Sequence, residues 1–143
     1  MIVFVDTNVL VDFVCNRQSF AEDAKRLFAH AFIGEFEIRI SALSYVNAVY
    51  IGHKYEHYDV KGCLRQLSAY IKVVDLQGKV VVDMLSSEWK DYEDAVQNQS
   101  ALLEGVDCIV TRNKKDFKNS SLPIYTIEEF FNTIEKDEEK LPS

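Results

Sequence analysis

The chain alternates short apolar runs with longer segments in which apolar residues recur at helical spacing. The short runs, at 2–5, 37–41, 72–76, 108–111 and 123–126, predict β-strands, and most of them lack the alternation of a half-exposed strand. The longer segments, at 9–14, 19–32, 41–51, 58–71, 78–89, 91–105 and 126–134, predict helices. This order predicts an α/β fold, in which a central, mainly parallel sheet is covered by helices on both faces as a three-layer sandwich.

Local signals place the helix ends and faces. Ser19 with Glu22, and Thr126 with Glu129, have the spacing of capping boxes, and Gly105 is expected to end the helix before it. The third helix is predicted to face inward with Leu43, Val46, Asn47, Tyr50 and Ile51, and the helix at 91–105 with Tyr92, Ala95, Val96, Leu102 and Leu103. We expect a single domain over residues 1–134 and an acidic tail over 135–143.

Composition narrows the class of protein without identifying it. The length of 143 residues suits about one domain, and no apolar run approaches the ~20 residues needed to cross a bilayer. The odd number of cysteines, 3, and their apolar surroundings favour reduced thiols in a cytoplasmic protein. The net charge of −7 argues against tight non-specific binding to nucleic acid, although it leaves nucleic acid open as a substrate held by metal ions and a local basic strip.

Polar residues follow two of the predicted strands at the edge where ligands bind in open α/β sheets. Asp6 follows the first strand, and the segment 111–113 (Thr-Arg-Asn) follows the strand at 108–111. Asp91, Asp94 and Asn98 form one stripe of a helix whose N-terminal end should lie beside the same crevice. Carboxylates that meet there repel one another unless a cation lies between them, and hard oxygen ligands suit Mg²⁺ or Mn²⁺.

Each of these residues also has an ordinary structural interpretation. An aspartate after a strand often caps the next helix, acids in a first helical turn complement the helix dipole, and "TRNKKDF" can be a solvated basic turn. The pair His53 and His57 has helical spacing, but it lacks the glutamate that the zinc protease motif places after the first histidine, so it is interpreted as a solvated helix end.

Four stretches together give the chain a resemblance to the PIN domain family. They are "VDTNVLVD", "ISALSYVNAVY", "DYEDAVQNQSALLEGVDCIVTRNKKDF" and "LPIYTIEEF", and they follow the family's order from about Ile2 to Phe131. The resemblance implies a compact α/β sandwich with an acidic cluster that binds Mg²⁺ or Mn²⁺. It also implies a ribonuclease, since the known members are mostly metal-dependent ribonucleases and many are toxins of VapBC-type toxin–antitoxin pairs.

The resemblance assigns the metal to two aspartates and shows two departures. Asp6 matches the family's first metal-binding aspartate, and Asp94 matches the later one on a helix. Asn47 stands where many members have a glutamate, and Asn113 stands where many have an aspartate. The compensating candidates are Asp91, Asp116 and Asp107, the last of which precedes its strand and is expected at the wrong end of the sheet. We therefore expect a weaker metal site.

The resulting hypothesis is metal-dependent hydrolysis of an RNA phosphodiester. Asp6 and Asp94 would hold the metal, Asn47 and Asn113 would be secondary ligands or orient water, and Thr7, Asn8 and Thr111 would fix the carboxylates by hydrogen bonds. The basic strip, namely Arg112, Lys114, Lys115 and Lys118, would hold the RNA backbone.

Two other functions compete with this hypothesis. The first is a non-catalytic PIN-like module whose weakened site binds RNA or a protein partner, which the two asparagines favour. The second is phosphate transfer with Asp6 as nucleophile, which is disfavoured because Asn8 breaks the Asp-x-Asp motif and the first strand lacks a preceding acidic pair. An antitoxin protein and a homodimer are possible partners that the sequence leaves open.

Overall fold

The computed structural model describes residues 1–55 and 58–139 and contains a five-stranded sheet. The strands are β1 (Ile2–Val5), β2 (Glu37–Ser41), β3 (Lys72–Val74), β4 (Cys108–Val110) and β5 (Ile124–Tyr125). All neighbouring strands are parallel, in the order β3-β2-β1-β4-β5. The predicted parallel α/β fold is confirmed, and each predicted strand is present with its end shifted by at most a few residues.

In the part of the chain that the structure describes, seven α-helices cover the sheet. They are α1 (Thr7–Val14), α2 (Ala21–Phe32), α3 (Ala42–Gly52), α4 (Val60–Leu67), α5 (Gly78–Asp83), α6 (Tyr92–Glu104) and α7 (Ile127–Glu139), with short 3-10 turns at Met84–Ser86 and Lys114–Phe117. The predicted helix at 78–89 was too long, because a 3-10 turn replaces the α-helix after Asp83. None of the helices in the described part of the chain is long and apolar enough to cross a membrane.

The side chains of β1 show how the sheet divides two cores. Val3 and Val5 pack into a large core with residues of α1, α2, α4 and α7, whereas Phe4 points the other way into a smaller core with Ala101 and Phe117. A strand whose consecutive side chains are all buried must be covered on both faces, since its side chains alternate between them. The continuous apolar run at 2–5 therefore correctly predicted the three layers.

Several predicted helix details are confirmed. Thr126 and Glu129 form the expected reciprocal capping box, with each backbone N–H donating to the other side chain at 3.1 and 3.2 Å. Gly105 ends α6 with a φ of 70°, a left-handed conformation that costs glycine little. α7 continues to Glu139, so residues 135–139 of the predicted tail are helical, while residues 140–143 and His57 lie outside the described residues.

Three predictions about helix faces and ends are wrong. Ser19 has a φ of 76° and does not cap α2, which begins at Ala21 without a side-chain cap. The buried residues of α3 are Ser44, Ala48 and Gly52, whereas Val46 and Tyr50 are 68% and 75% exposed. On α6 the predicted Ala95 and Val96 are buried, but Tyr92, Leu102 and Leu103 are exposed. Gln97, Asn98 and Ser100 are buried on this helix as well. On α3 the buried side chains are small because this helix packs closely against α1. On α6 polar side chains are buried because they find hydrogen-bond partners below the carboxyl ends of the strands, as Gln97 does with Ser44.

Candidate active site

Asp6 lies at the carboxyl end of β1, the central strand, and caps α1. Its Oδ1 accepts a hydrogen bond from the backbone N–H of Thr7 at 2.8 Å, and its Oδ2 accepts one from the hydroxyl of Thr111 at 2.9 Å. Asp6 is buried, and burial raises its pKa from 3.8 to about 6 in spite of these two bonds, which lower it. An exposed aspartate could cap the helix equally well without the free-energy cost of ionising a buried carboxyl. The burial of Asp6 therefore indicates a role beyond capping.

Asp94, in the first turn of α6, faces the same place. Both residues line one open cavity of about 330 Å³, and so do Asp91, Glu93 and Asp116. We call these five carboxylates and their space the acidic cavity. Burial, followed by the charges of Asp91, Asp6, Asp116 and Glu93, raises the pKa of Asp94 from 3.8 to about 7. The prediction that α6 brings its N-terminal acids to the edge of β1 is confirmed.

Asn47, the departure on the third helix, lies in the acidic cavity and has an acidic partner there. Its Nδ2 donates a hydrogen bond of 2.7 Å to Oε1 of Glu93, a residue that the sequence analysis did not assign to the site. By the resemblance to the family, a carboxylate would be expected at this position of α3. The structure has an amide there, and this amide hydrogen-bonds a carboxylate from α6.

Asn113, the second departure, does not line the acidic cavity. It is exposed, and its backbone N–H donates to the hydroxyl of Thr111 at 3.1 Å. The 3-10 turn that starts at Lys114 carries Asp116 into the cavity instead. Asp107 lies at the opposite edge of the sheet, as expected, where it accepts a hydrogen bond of 2.7 Å from the backbone N–H of Ile2.

A buried network of hydroxyl and amide groups supports the acidic cavity from below. Nε2 of Gln97 donates to the hydroxyls of Thr7 at 3.1 Å and Ser44 at 2.7 Å, and these hydroxyls are 2.6 Å apart. The network continues to Ser41, which caps α3 by accepting a bond of 3.0 Å from the backbone N–H of Ser44. It ties α1, α3 and α6 together at the level of the acids. Of these residues, the sequence analysis had assigned only Thr7 to the site. A serine at position 41, directly before the third helix, could have been recognised as its N-cap.

Comparison with known proteins agrees with this geometry. Residues 2–115 match the family model described as "PIN domain". The chain belongs to the PIN domain family. Members of this family are generally nucleases, and the comparison supports a hydrolase at that level. None of the curated protein sequences matches the chain.

Solved structures similar to this PIN domain include several toxin–antitoxin proteins. A toxin–antitoxin complex from Klebsiella pneumoniae is 22% identical, with a TM-score of 0.64 over 87% of this chain and 97% of that one. VapBC2 from Rickettsia felis, bound to a DNA fragment from its promoter, is 20% identical, with a TM-score of 0.60 over 87% and 97%. VapC20 from Mycobacterium tuberculosis, a toxin that cleaves the sarcin–ricin loop, is 14% identical, with a TM-score of 0.60 over 75% and 86%. At these identities the likeness establishes the fold.

The predicted basic strip of this PIN domain divides into two parts with different surroundings. The guanidinium of Arg112 donates to Asp12, a residue 1% exposed, with Nε at 2.6 Å and Nη2 at 3.2 Å, and it lies over the ring of Phe20 at 3.9 Å. Lys114 pairs with Glu129 at 2.9 Å. Lys115 and Lys118 instead line a cavity that adjoins the acidic cavity. We therefore assign Arg112 to the fold, since it neutralises a buried aspartate.

The donors of the acidic cavity fit a hard divalent cation. They are carboxylate oxygens, and burial first, then the charges of neighbouring acids, raises the pKa of Asp6 and Asp94, while no side-chain cation in the described part of the chain is among the groups that shift them. Within residues 1–55 and 58–139, however, no three carboxylate, histidine or cysteine side chains converge closely enough to form a protein-only coordination set. Mg²⁺ suits such a site, because it ordinarily keeps several water ligands and takes only one or two carboxylates from the protein.

Proposed function

We propose that this PIN domain is a divalent-metal-dependent endoribonuclease that hydrolyses RNA phosphodiesters. The observation that carries the proposal is the acidic cavity itself, in which two carboxylates have pKa values near neutrality at the carboxyl end of the central strand. A folded protein gains nothing in stability from such an arrangement, since ionising these groups is costly. Buried carboxylates that also repel one another are typical of functional sites, and a bound cation would relieve both costs.

In this proposal Asp6 and Asp94 hold Mg²⁺ or Mn²⁺, and Asp116 and Glu93 add negative charge from two further directions. A divalent ion bound there would polarise the phosphodiester and lower the pKa of a water molecule. Thr7 and Thr111 fix the two oxygens of Asp6 by donating hydrogen bonds, so that this carboxylate cannot rotate.

The remaining polar residues have supporting roles in the proposal. Asn47 orients Glu93 through its Nδ2, and Asn8 lines the cavity where it can bind water or a phosphate oxygen. Asp91 holds the start of α6 by accepting a bond of 3.0 Å from the backbone N–H of Asp94. Asn113 has no catalytic role in the proposal, and it contributes only the hydrogen bond from its backbone N–H to the hydroxyl of Thr111.

We infer a toxin that acts in the cytoplasm with a protein antitoxin as partner, and the structural neighbours support the antitoxin. The solved complexes from Klebsiella pneumoniae and Rickettsia felis pair a toxin with an antitoxin, and this chain shares their fold. A homodimer is compatible with this proposal.

The test is metal-dependent cleavage of a single-stranded RNA. We expect cleavage with Mn²⁺ or Mg²⁺, no cleavage in chelator, and a loss of at least a hundredfold in Asp6→Asn and in Asp94→Asn, since each removes a proposed ligand. Asp75→Asn is the matched control, because Asp75 is exposed and lies outside the acidic cavity. Equal cleavage by Asp6→Asn and wild type would refute the proposal.

Two observations favour a second candidate, a non-catalytic PIN module that binds RNA or a protein. The described residues lack a protein-only coordination set, and amides occupy two positions where many relatives have acids. RNA binding that persists in chelator, without cleavage in any divalent metal, would support this candidate over the nuclease.

A further inference from the structure

A second cavity of about 490 Å³ adjoins the acidic cavity, and Asp91, Asp94 and Asp116 form the wall between the two. Its other lining residues are Trp89, Lys90, Lys115, Lys118 and Asn119. We call this space the lysine cleft. The lysine cleft and the acidic cavity share these three aspartates, so a nucleic-acid strand bound at the acidic cavity would extend into the lysine cleft.

The three lysines of the cleft are placed differently from the other basic residues of the predicted strip. Within the described residues, none of Lys90, Lys115 and Lys118 has a carboxylate within ion-pair distance, whereas Arg112 and Lys114 are paired with Asp12 and Glu129. All three are exposed. In a protein of net charge −7, three free ammonium groups beside an acidic cavity form a local site for anionic groups.

Trp89 gives the cleft an aromatic surface. It is half-buried, and its ring meets the fully buried Phe117 edge to face, with the centroids 6.1 Å apart, so one part of the indole is anchored in the core. The remainder lines the cleft beside the lysines. An anchored aromatic ring next to ammonium groups is the combination by which proteins bind unpaired bases together with their phosphates.

We propose that the lysine cleft is a subsite for single-stranded polynucleotide, in which Lys90, Lys115 and Lys118 bind backbone phosphates and Trp89 stacks on a base. The inference rests on the proposed function, since it names the substrate strand that leads to the acidic cavity. Single strands are favoured over duplexes because stacking on Trp89 needs an unpaired base, and because three lysines beside several acids offer too small a positive surface for a duplex.

Trp89 is the only tryptophan of the chain, so its fluorescence reports directly on the cleft. The experiment titrates the full chain with hexauridylate in chelator, where a metal-dependent nuclease cannot cleave. Lys90→Gln, Lys115→Gln and Lys118→Gln are combined in one variant. The matched control combines Lys61→Gln, Arg65→Gln and Lys136→Gln, which remove the same charge from exposed positions on α4 and α7. Far-ultraviolet circular dichroism verifies that both variants fold.

We expect hexauridylate to quench the emission of Trp89 in the wild type and in the control variant. The cleft variant should bind at least about tenfold more weakly, and its log–log salt dependence should be shallower by about 2, since each phosphate contact on a single strand contributes about 0.7. Anisotropy of a labelled hexauridylate should show a loss of about tenfold in Trp89→Leu, which keeps an apolar side chain against Phe117 but cannot stack.

Several results would overturn the inference. They are equal affinity of the cleft and control variants, emission from Trp89 that does not respond to hexauridylate, equal binding of a duplex, and equal quenching by polyglutamate. Hexadeoxyuridylate in place of hexauridylate changes only the sugar. Weaker binding of this DNA shows recognition of the ribose hydroxyl, and equal binding shows a cleft that contacts phosphate and base alone. Binding that survives in chelator while Mn²⁺ gives no cleavage would refute the proposed hydrolysis and leave the subsite standing.

Discussion

Replacing Asp6 by asparagine should stabilise the metal-free protein at neutral pH, although it removes a proposed metal ligand. Raising the pKa of a buried carboxyl from 3.8 to about 6 means that its ionisation costs the folded state about 3 kcal/mol. Asparagine has the same shape and no charge, and its Oδ1 can still accept the bond from the N–H of Thr7. Its Nδ2 replaces Oδ2 and is a donor, so the hydroxyl of Thr111 has to turn and accept where it now donates. Since part of the hydrogen bonding is lost in this way, we expect a net gain of about 2 kcal/mol.

The gain should depend on pH with a definite sign. The folded pKa of Asp6 lies above the unfolded value, so the folded state holds the proton more tightly, and the wild type loses stability as the pH rises from about 4 through about 6. The pKa of Asp94 is raised in the same direction, partly by the charge of Asp6, so Asp6→Asn also relieves part of the cost of ionising Asp94. Asp6→Asn and wild type should therefore be equally stable near pH 4 and diverge between pH 4 and pH 6, and above pH 6 they should differ by the full amount that Asp6 contributes.

The assay is urea unfolding in chelator at a series of pH values, with Asp12→Asn as the matched control. Asp12 is as buried as Asp6, but it is paired with Arg112 and Arg17, so the same substitution should destabilise by about 2–4 kcal/mol. Added Mn²⁺ should raise the melting temperature of wild type and leave Asp6→Asn unchanged. If Asp6→Asn is less stable than wild type at pH 8 in chelator, the charge of Asp6 is not a burden to the fold, and the electrostatic reasoning about the site is wrong.

Further predictions concern the supports of the site. Arg112→Ala should lower the free energy of unfolding in urea by about 2–4 kcal/mol, because it leaves the buried Asp12 with only the longer contact of 3.5 Å to Arg17. Arg112→Lys should recover only part of this loss, because lysine cannot form the two-pronged bond. Asn47→Glu should lower the melting temperature in chelator, because it sets a second carboxylate against Glu93. Adding Glu93→Gln should restore most of this loss, since the amide–carboxylate hydrogen bond then forms with the two groups exchanged. An unchanged melting temperature in both variants would show that the two side chains do not meet. Gln97→Ala should cost about 2–4 kcal/mol in urea unfolding, because it empties a buried volume and removes two hydrogen bonds, and a cost below about 0.5 kcal/mol would exclude a supporting role.

The strands and the position of Asp6 could be predicted because they depend on local signals. The run at 2–5 is continuous and apolar, and an aspartate directly after a central parallel strand must lie at the edge where ligands bind. The helical spacing of Asp91 and Asp94, followed by Gly105, placed α6 and its acidic end correctly. These predictions required no knowledge of which residues meet across the fold.

The polar contacts between helices could not be predicted in this way. Val46 and Tyr50 have the spacing of a buried stripe but are exposed, because α3 approaches α1 through Ser44 and Ala48, which are small enough for close packing. Gln97 is fully buried on a helix whose apolar residues Leu102 and Leu103 are exposed. Hydrophobicity alone cannot predict a buried glutamine, since its burial depends on two hydroxyl groups from distant parts of the chain.

The pairing of Asn47 with Glu93 shows why counting acids at the positions of a family motif underestimates this site. A position-by-position comparison finds two lost carboxylates, at Asn47 and Asn113, and predicts a weak cation site. The electrostatic field at the cavity depends on which charges lie near it, and not on which helix carries them. Glu93 and Asp116 reach the cavity from α6 and from the turn after β4, and both raise the pKa of Asp6 and Asp94. The negative charge available to a cation is therefore set by five carboxylates, and the site is expected to bind a divalent ion more tightly than the two asparagines alone would indicate.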